Sequence, residues 1–260
     1  MLQFSANLSM LFTELPLAQR FHAARQAGFN AVEIQFPYEL PVADLQRLLQ
    51  DNQLKLVLIN LPAGDFMSGG NGLACVPGRE AEFRLALEQA LRYAWALEVP
   101  AVNVLAGRLA AEVSREQALD TLQANLQFAV AKLAGVGIST CIEAINCYDM
   151  PGFLLNTAED MRQMLARVAH PSLQMQVDLY HMARMQEDLS ALLQQDWGQI
   201  GHIQFADTPG RGAPGSGELP FAQLFKQIAA LPYNGYCGAE YKPGPDTPAT
   251  LGWLQPYIKP

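Results

Sequence analysis

The sequence of 260 residues predicts an α/β fold, a (β/α)8 TIM barrel built as a single domain over residues 1–260. Three observations carry this. Eight short apolar runs each precede a stretch with helical character, and eight such units in about 250 residues suit this barrel. The runs are close to continuously apolar, as expected of parallel strands buried on both faces. The first strand-to-helix turn has no GxGxxG, which sets aside the runner-up, a doubly wound open sheet.

The elements follow in order. Residues 2–7 form the first strand. Pro16 fits the first turn of a helix that carries Leu17, Phe21 and Ala24 on one face and ends at Gly28. AVEIQF, residues 31–36, is the second strand, stopped by Pro37; Leu45, Leu48 and Leu49 make residues 42–52 amphipathic. KLVLIN, residues 55–60, is the third strand. A long loop at 61–78 then carries Gly64, Gly69, Gly70 and Gly72. Loops of this length in a folded domain are commonly functional lids. A helix at 79–97 leads to the fourth strand, PAVNVL, residues 100–105. Ser114 and Gln117 make a capping box for a helix reaching Ala134. ISTCIE, residues 138–143, is the fifth strand; the loop behind it carries Asn146 and Asp149, and Thr157 opens the next helix. Residues 173–178 are the sixth strand, followed by a helix beginning near His181. The seventh, 200–206, runs into a Gly/Pro-rich loop at 207–217, and a short helix spans 221–230. YCGAE, residues 236–240, is the eighth, and Pro248 opens the last helix with Asp246 or Thr247 as its cap.

Composition narrows the function classes. The chain is 50% hydrophobic and 16% charged, so it can bury a large core and is not disordered. Its net charge of −8 opposes a broad nucleic-acid surface, which needs basic stripes. Neither Gly-rich loop contains GxxxxGK[ST]. Cys75, Cys141, Cys147 and Cys237 form no CxxC pair, which argues against a zinc ribbon or thioredoxin-like site and for a reducing, cytoplasmic setting. The N-terminal stretch has no basic segment, and no run of about 18 apolar residues occurs, so neither a signal peptide nor a membrane span is expected. Oligomeric state is left open, a homo-oligomer included.

The chemistry gathers at the strand C-termini, where barrels of this kind place their sites. Glu143 ends the fifth strand, Asp178 the sixth and Glu240 the eighth, and Gln204 lies near the end of the seventh. Each acid alone reads equally well as a site group or as a plain helix cap or buried hydrogen-bonding group. Together, three carboxylates and an amide oxygen at one mouth call for a hard divalent cation, Mg2+ or Mn2+. In a ring of eight, strands five and eight lie three apart, so Glu143 and Glu240 should face each other across the mouth. Such a pair can take a proton from one carbon and return one to its neighbour through an enediolate. Arg211, among glycines and prolines, could grip a carboxylate in bidentate fashion. Lys242 reads either as a neutraliser of a bound anion or as a solvated surface lysine. Glu33 either meets a cation inside the barrel or points to the mouth. His202, two residues from Gln204, reads as a core histidine. His181, three residues beyond Asp178, should sit over the mouth and donate to a substrate oxygen. Asn7 reads as a turn residue or, second to that, as a support for polar contacts at the strand end; His22 and His170 carry no assigned role.

Several stretches together resemble the hydroxypyruvate isomerase family, within the xylose-isomerase-like barrels. They are FSANLSMLFTE from Phe4, NLPAGD from Asn60, PGRE from Pro77, IEAIN from Ile142, QVDLYHMARM from Gln176, HIQFAD from His202 with the following RGAPGSGE, and GAEYKP from Gly238. The resemblance runs over essentially the whole chain. It implies an aldose–ketose type isomerase without an organic cofactor, converting hydroxypyruvate, a small 2-oxo acid, to tartronate semialdehyde. It makes Glu143 and Glu240 the acid/base pair. By likeness to related ketose 3-epimerases, Glu143, Asp178, Gln204 and Glu240 would hold the metal, and Asp149, His181 and Arg211 would contact substrate oxygens. Those epimerases usually place a His where Gln204 stands. The chain also resembles 2-oxo-tetronate isomerases, whose substrate is one carbon longer. A nuclease of the endonuclease IV type shares the barrel, but needs a His-rich zinc cluster and a basic groove; this chain has four His and is acidic.

Overall fold

Side chains along a strand alternate between its two faces, and here the alternation divides apolar from polar. On β1 (Gln3–Asn7), Phe4 and Ala6 join the apolar core, while Ser5 and Asn7 bond to groups inside the barrel. The computed structural model describes residues 2–258. In it, β1 is followed by β2 (Ala31–Ile34), β3 (Lys55–Asn60), β4 (Ala101–Val104), β5 (Ser139–Glu143), β6 (Leu173–Asp178), β7 (Ile200–Phe205) and β8 (Tyr236–Ala239). These eight strands pair in parallel and in chain order, and β8 closes on β1. The register sets Asp178 beside Gln204, Glu143 beside Gln176 and Asn7 beside Glu33, which brings the polar groups to common levels.

The helices α1 (Leu17–Gln26), α2 (Val42–Asp51), α3 (Glu80–Ala96), α4 (Arg115–Ala134), α5 (Ala158–Val168), α6 (Leu179–Arg184), α7 (Leu189–Asp196) and α8 (Phe221–Ala230) surround the barrel. The capping box expected at Ser114 is present: its Oγ accepts from Gln117 N at 3.2 Å, and Gln117 Oε1 accepts from Ser114 N at 3.0 Å. Thr157 and Asp160 make a second one for α5. Outside β1, β7 and β8 an aromatic cluster seals the barrel. Phe4 meets Phe225 at 5.1 Å and Trp253 at 5.2 Å, and Phe205 meets Trp253 at 5.1 Å, all edge to face. Contacts of this kind each add about 0.5–1.5 kcal/mol beyond the area they bury. Among the described residues no helix is long and apolar enough to cross a membrane.

Some local expectations are corrected. The helix after β6 starts at Leu179, ahead of His181, because Asp178 caps it: its Oδ1 accepts from Tyr180 N at 2.8 Å. It stops after six residues, Gln186 turns the chain with φ +62°, and Asp188 caps a separate helix, α7. The final helix is a 3-10 helix, Pro248–Tyr257. Thr247 does not cap it; its hydroxyl accepts from Phe12 N and bonds to Glu14. Asp246 Oδ1 accepts from Ala249 N at 3.3 Å. β2 ends at Ile34, and Glu240 lies one residue beyond β8.

Candidate active site

At the C-terminal end of the strands lies a cavity of about 180 Å3, lined by Glu143, Gln176, His181, Gln204, Arg211 and Glu240 among others, with Phe36, Phe66, Met67, Leu105 and Ile145 as its apolar wall. Larger hollows of about 560 and 610 Å3 lie against the opposite ends of the strands, around Lys55 and Tyr236, but no comparable set of carboxylates lines them.

Glu143 reaches the cavity from the end of β5. Its Oε2 accepts from Asn103 Nδ2 at 3.2 Å, on β4, and from Gln176 Nε2 at 3.0 Å, on β6. Glu240 accepts at Oε1 from Gln35 Nε2 at 3.0 Å and Arg211 Nη2 at 2.7 Å, and at Oε2 from Asn7 Nδ2 at 3.1 Å. Both glutamates bind protons more tightly than an ordinary carboxyl. Burial raises Glu143 well above its usual value, and the charges of Glu240 and Asp178 add to this. Burial also raises Glu240, to about 8; Arg211 opposes the rise while Asp178 and Glu33 add to it.

The two oxygens of Asp178 are in different surroundings. One oxygen caps α6; the other, Oδ2, is buried and has no hydrogen-bond partner among the described residues. It lies 3.6 Å from both His181 Nε2 and Arg211 Nη2. Glu143, Asp178 and His181 offer ligand atoms all within 4.8 Å of one another. The tautomer of His181 bears on its part in this group. Asn146 Oδ1 accepts from the backbone of Tyr148 and Asp149, so its Nδ2 faces His181 Nδ1 at 2.7 Å. An Nδ1 that accepts leaves the ring proton on Nε2, aimed toward Asp178 Oδ2 and, at 4.0 Å, Glu143 Oε1. Burial lowers the imidazole to about 4, so the ring is neutral and donates into the cavity.

Gln204 turns its nitrogen to Glu33 Oε1 at 2.6 Å and its oxygen to Gln176 Nε2 at 2.7 Å. Arg211, at φ +56°, lays its guanidinium over the Tyr180 ring at 5.2 Å and between Glu240 and Asp178, so its nearest carboxylates are the protein's own. Asp149 lines the cavity and accepts from Tyr180 Oη at 2.7 Å. Burial works to raise Asp149, but the bonds from Tyr180 and Asn146 prevail and hold it below the usual carboxylate range. The Lys242 side chain is exposed and does not line the cavity; only its backbone N–H takes part, donating to Arg211 O at 2.7 Å.

Sequence reasoning passed over the residues that grip these groups: Gln35, Asn103 and Gln176. Two carried a signal, an amide within an apolar strand on the same face as an acid, as Gln176 is to Asp178. Asn7 makes both a turn bond, accepting from Ser9 N at 3.0 Å, and the bond to Glu240. Of the two alternatives for Glu33, the mouth is not met, since it does not line the cavity; it pairs inside the barrel with His202, whose Nε2 lies 2.7 Å from its Oε2, and both are buried. The loop at 61–78 does reach the site. Its Phe66 and Met67 wall the cavity, and Arg108 holds it by donating to Phe66 O at 3.0 Å and Gly70 O at 2.6 Å.

The family model described as xylose isomerase-like TIM barrel matches residues 21–257. The chain belongs to that family. It is 45% identical over 257 residues to hydroxypyruvate isomerase of Escherichia coli, covering 99% of this chain and 100% of that protein. It is 41% identical over 256 residues to 2-oxo-tetronate isomerase of Cupriavidus necator, covering 98% of each. A crystal structure from Brucella melitensis, described as an AP endonuclease of family 2, superposes with a TM-score of 0.96 at 36% identity over 100% of both chains. D-allulose 3-epimerase from Methylomonas sp. shares the fold, with a TM-score of 0.81 at 21% identity, over 99% of this chain and 96% of that one.

Proposed function

We propose that the chain is an intramolecular isomerase that interconverts hydroxypyruvate and tartronate semialdehyde. The observation that carries this is the pair Glu143 and Glu240, both buried at one small cavity and both held above the usual carboxylate range by burial. The reaction needs one base and one acid. The ionised glutamate takes a proton from C3 of hydroxypyruvate, leaving an enediolate. The protonated glutamate delivers a proton to C2. The C3 hydroxyl proton moves to the C2 oxygen, so atoms and charge balance. His181, holding its proton on Nε2, donates to the substrate oxygen that gains charge. The roof of Phe66 and Met67 keeps water from the enediolate. Full-length relatives at 45% and 41% identity carry isomerase names, which supports the reaction class.

A divalent cation, Mg2+ or Mn2+, belongs to this reading. Glu143, Asp149 and Glu240 line the cavity and Asp178 lies beside it, against the single guanidinium of Arg211, and the substrate is itself an anion. The partnerless Asp178 Oδ2 beside Glu143 fits an oxygen-ligated ion. Glu143 and Asp178 would hold it, with Glu240 and Gln204 contributing from the neighbouring strands. When bound it would polarise the substrate carbonyl and offset negative charge. Arg211 keeps Glu240 and Asp178 oriented, and Asp149 and His181 take the substrate hydroxyl and oxo groups.

The three-carbon acid suits a cavity of about 180 Å3 whose wall at Leu105 and Ile145 offers a further hydroxyl no partner. The four-carbon acid adds a CH(OH) unit, and one such small unit is discriminated only modestly by a pocket, by about 10–200-fold for a methylene, so it is the competing substrate to test. A nuclease reading is not supported: the chain is acidic, and one histidine lines the cavity. The four unpaired cysteines suit a reducing, cytoplasmic setting.

The test is incubation with hydroxypyruvate in D2O with Mg2+ or Mn2+, followed by product identification. Tartronate semialdehyde should form, with solvent deuterium or transferred hydrogen at C2. No conversion of hydroxypyruvate or of 2-oxo-tetronate overturns the reading.

A further inference from the structure

Beneath the cavity, and outside its lining, Glu33 is buried at 1% exposure. Four side chains donate to it. Its Oε1 accepts from Asn7 Nδ2 at 3.0 Å and Gln204 Nε2 at 2.6 Å. Its Oε2 accepts from Ser5 Oγ at 3.1 Å and His202 Nε2 at 2.7 Å. The fold makes room for it: any Cβ at position 238 would fall on the Glu33 carboxylate, so β8 carries glycine there.

From Glu33 two branches rise to the two glutamates. In one, Asn7 Nδ2 is shared between Glu33 Oε1 and Glu240 Oε2. In the other, Gln204 donates to Glu33, Gln176 Nε2 donates to Gln204 Oε1, and the same Nε2 donates to Glu143 Oε2. An ionised carboxylate only accepts, whereas an amide has a donor end and an acceptor end. A carboxylate that accepts from all four neighbours therefore dictates which way each amide faces. Gln204 must turn its nitrogen down and its oxygen toward Gln176. Gln176 must then present its nitrogen, and that nitrogen grips Glu143.

We propose that Glu33 is a positioning residue whose carboxylate fixes the amide chain holding Glu143 and Glu240 in mutual register for proton removal and return. This rests on the isomerase reading above. A glutamine at position 33 would face four donors with one acceptor oxygen and an NH2 group. His202 or Gln204 would then meet an N–H. If Gln204 reverses, Gln176 reverses after it, and a carbonyl oxygen confronts Glu143 Oε2.

The experiment follows product formation and deuterium washout into unreacted hydroxypyruvate, in D2O with saturating Mn2+, for the wild type, Glu33→Gln and Asn7→Ala. In Glu33→Gln, kcat should fall about tenfold or more with KM changed by less than about threefold. The ratio of washout to product should rise, because removal of a proton is no longer followed promptly by delivery of one. Asn7→Ala cuts only the Glu240 branch and should raise the ratio too; it carries the test if Glu33→Gln does not fold. A purely structural role would lower washout and product together. Wild-type turnover with an unchanged ratio in the folded variants overturns this inference alone. Absence of both product and washout in the wild type overturns the isomerase reading and this inference with it.

Discussion

β1, β3 and β4 send Ser5, Asn7, Asn60 and Asn103 into the barrel and β2 adds Glu33, whereas β5 and β6 end in Glu143 and Asp178 and Glu240 follows β8. The first half thus contributes mostly neutral hydrogen-bonding groups, and the second half the carboxylates gathered at and beside the cavity. The difference concerns how a buried carboxylate is kept usable. An isolated buried charge would be too costly to keep. A fully satisfied one, such as Glu33 with four donors, stays fixed. Glu143 lies between these limits: two amide donors hold one oxygen, and the other faces the cavity and His181.

The sharpest way to break the comparison is to remove the titrating groups. Glu143→Gln and Glu240→Gln keep shape and most hydrogen bonds but cannot cycle a proton. Each should lower kcat by about 10^3-fold, within the range general acid–base groups supply, with far-UV circular dichroism unchanged. A loss below about tenfold in both would mean that the proton is moved elsewhere.

The same contrast explains what was legible in the sequence. An acid closing an apolar strand is conspicuous, because burial of a charge demands a reason; Glu143 and Glu240 line the cavity, and Asp178 lies beside it, 3.6 Å from Arg211 Nη2. An amide in a strand costs less to bury, so Asn103 and Gln176 looked ordinary although both hold Glu143. For Asp178 the cap and the site had seemed alternatives. A carboxylate has two oxygens, and here one makes the cap while the other is left without a hydrogen-bond partner among the described residues, so the two readings do not exclude each other. The eightfold strand order was legible because each unit repeats a local pattern. The hold of Arg108 on the loop at Phe66 was not, since those residues lie 42 apart in the chain and no local spacing records the contact.

A smaller effect follows from pH. Glu240 rises from 4.5 to about 8 on folding, so its contribution to stability is complete below pH 4.5, declines as pH rises and is gone above about 8. His181 falls from 6.5 to about 4 on folding; its contribution is present above pH 6.5 and is lost as pH falls toward 4. The two oppose each other in the acid range and leave a net decline from about pH 6.5 to about 8. Thermal melts in chelator should show Tm dropping by a few degrees across that window. Saturating Mn2+ should shrink the drop, because a cation favours the ionised site. A Tm that rises across the window in chelator would show that the carboxyl pair is not protonated on folding.

The smallest effect is expected at Lys242, the basic residue that follows Glu240 by two positions. Its side chain stands in solvent away from the cavity, where a charge is screened. Lys242→Ala keeps the backbone N–H that donates to Arg211 O at 2.7 Å, so kcat/KM at low salt should change by less than about twofold. Lys242→Pro removes that donor while altering the same charge. It should cost more, because the bond lies on the backbone that aims Arg211 at Glu240. If alanine and proline instead weaken kcat/KM equally and by tenfold or more, the ammonium group reaches the substrate and the division between solvent-facing and cavity-facing cations at the end of β8 is wrong.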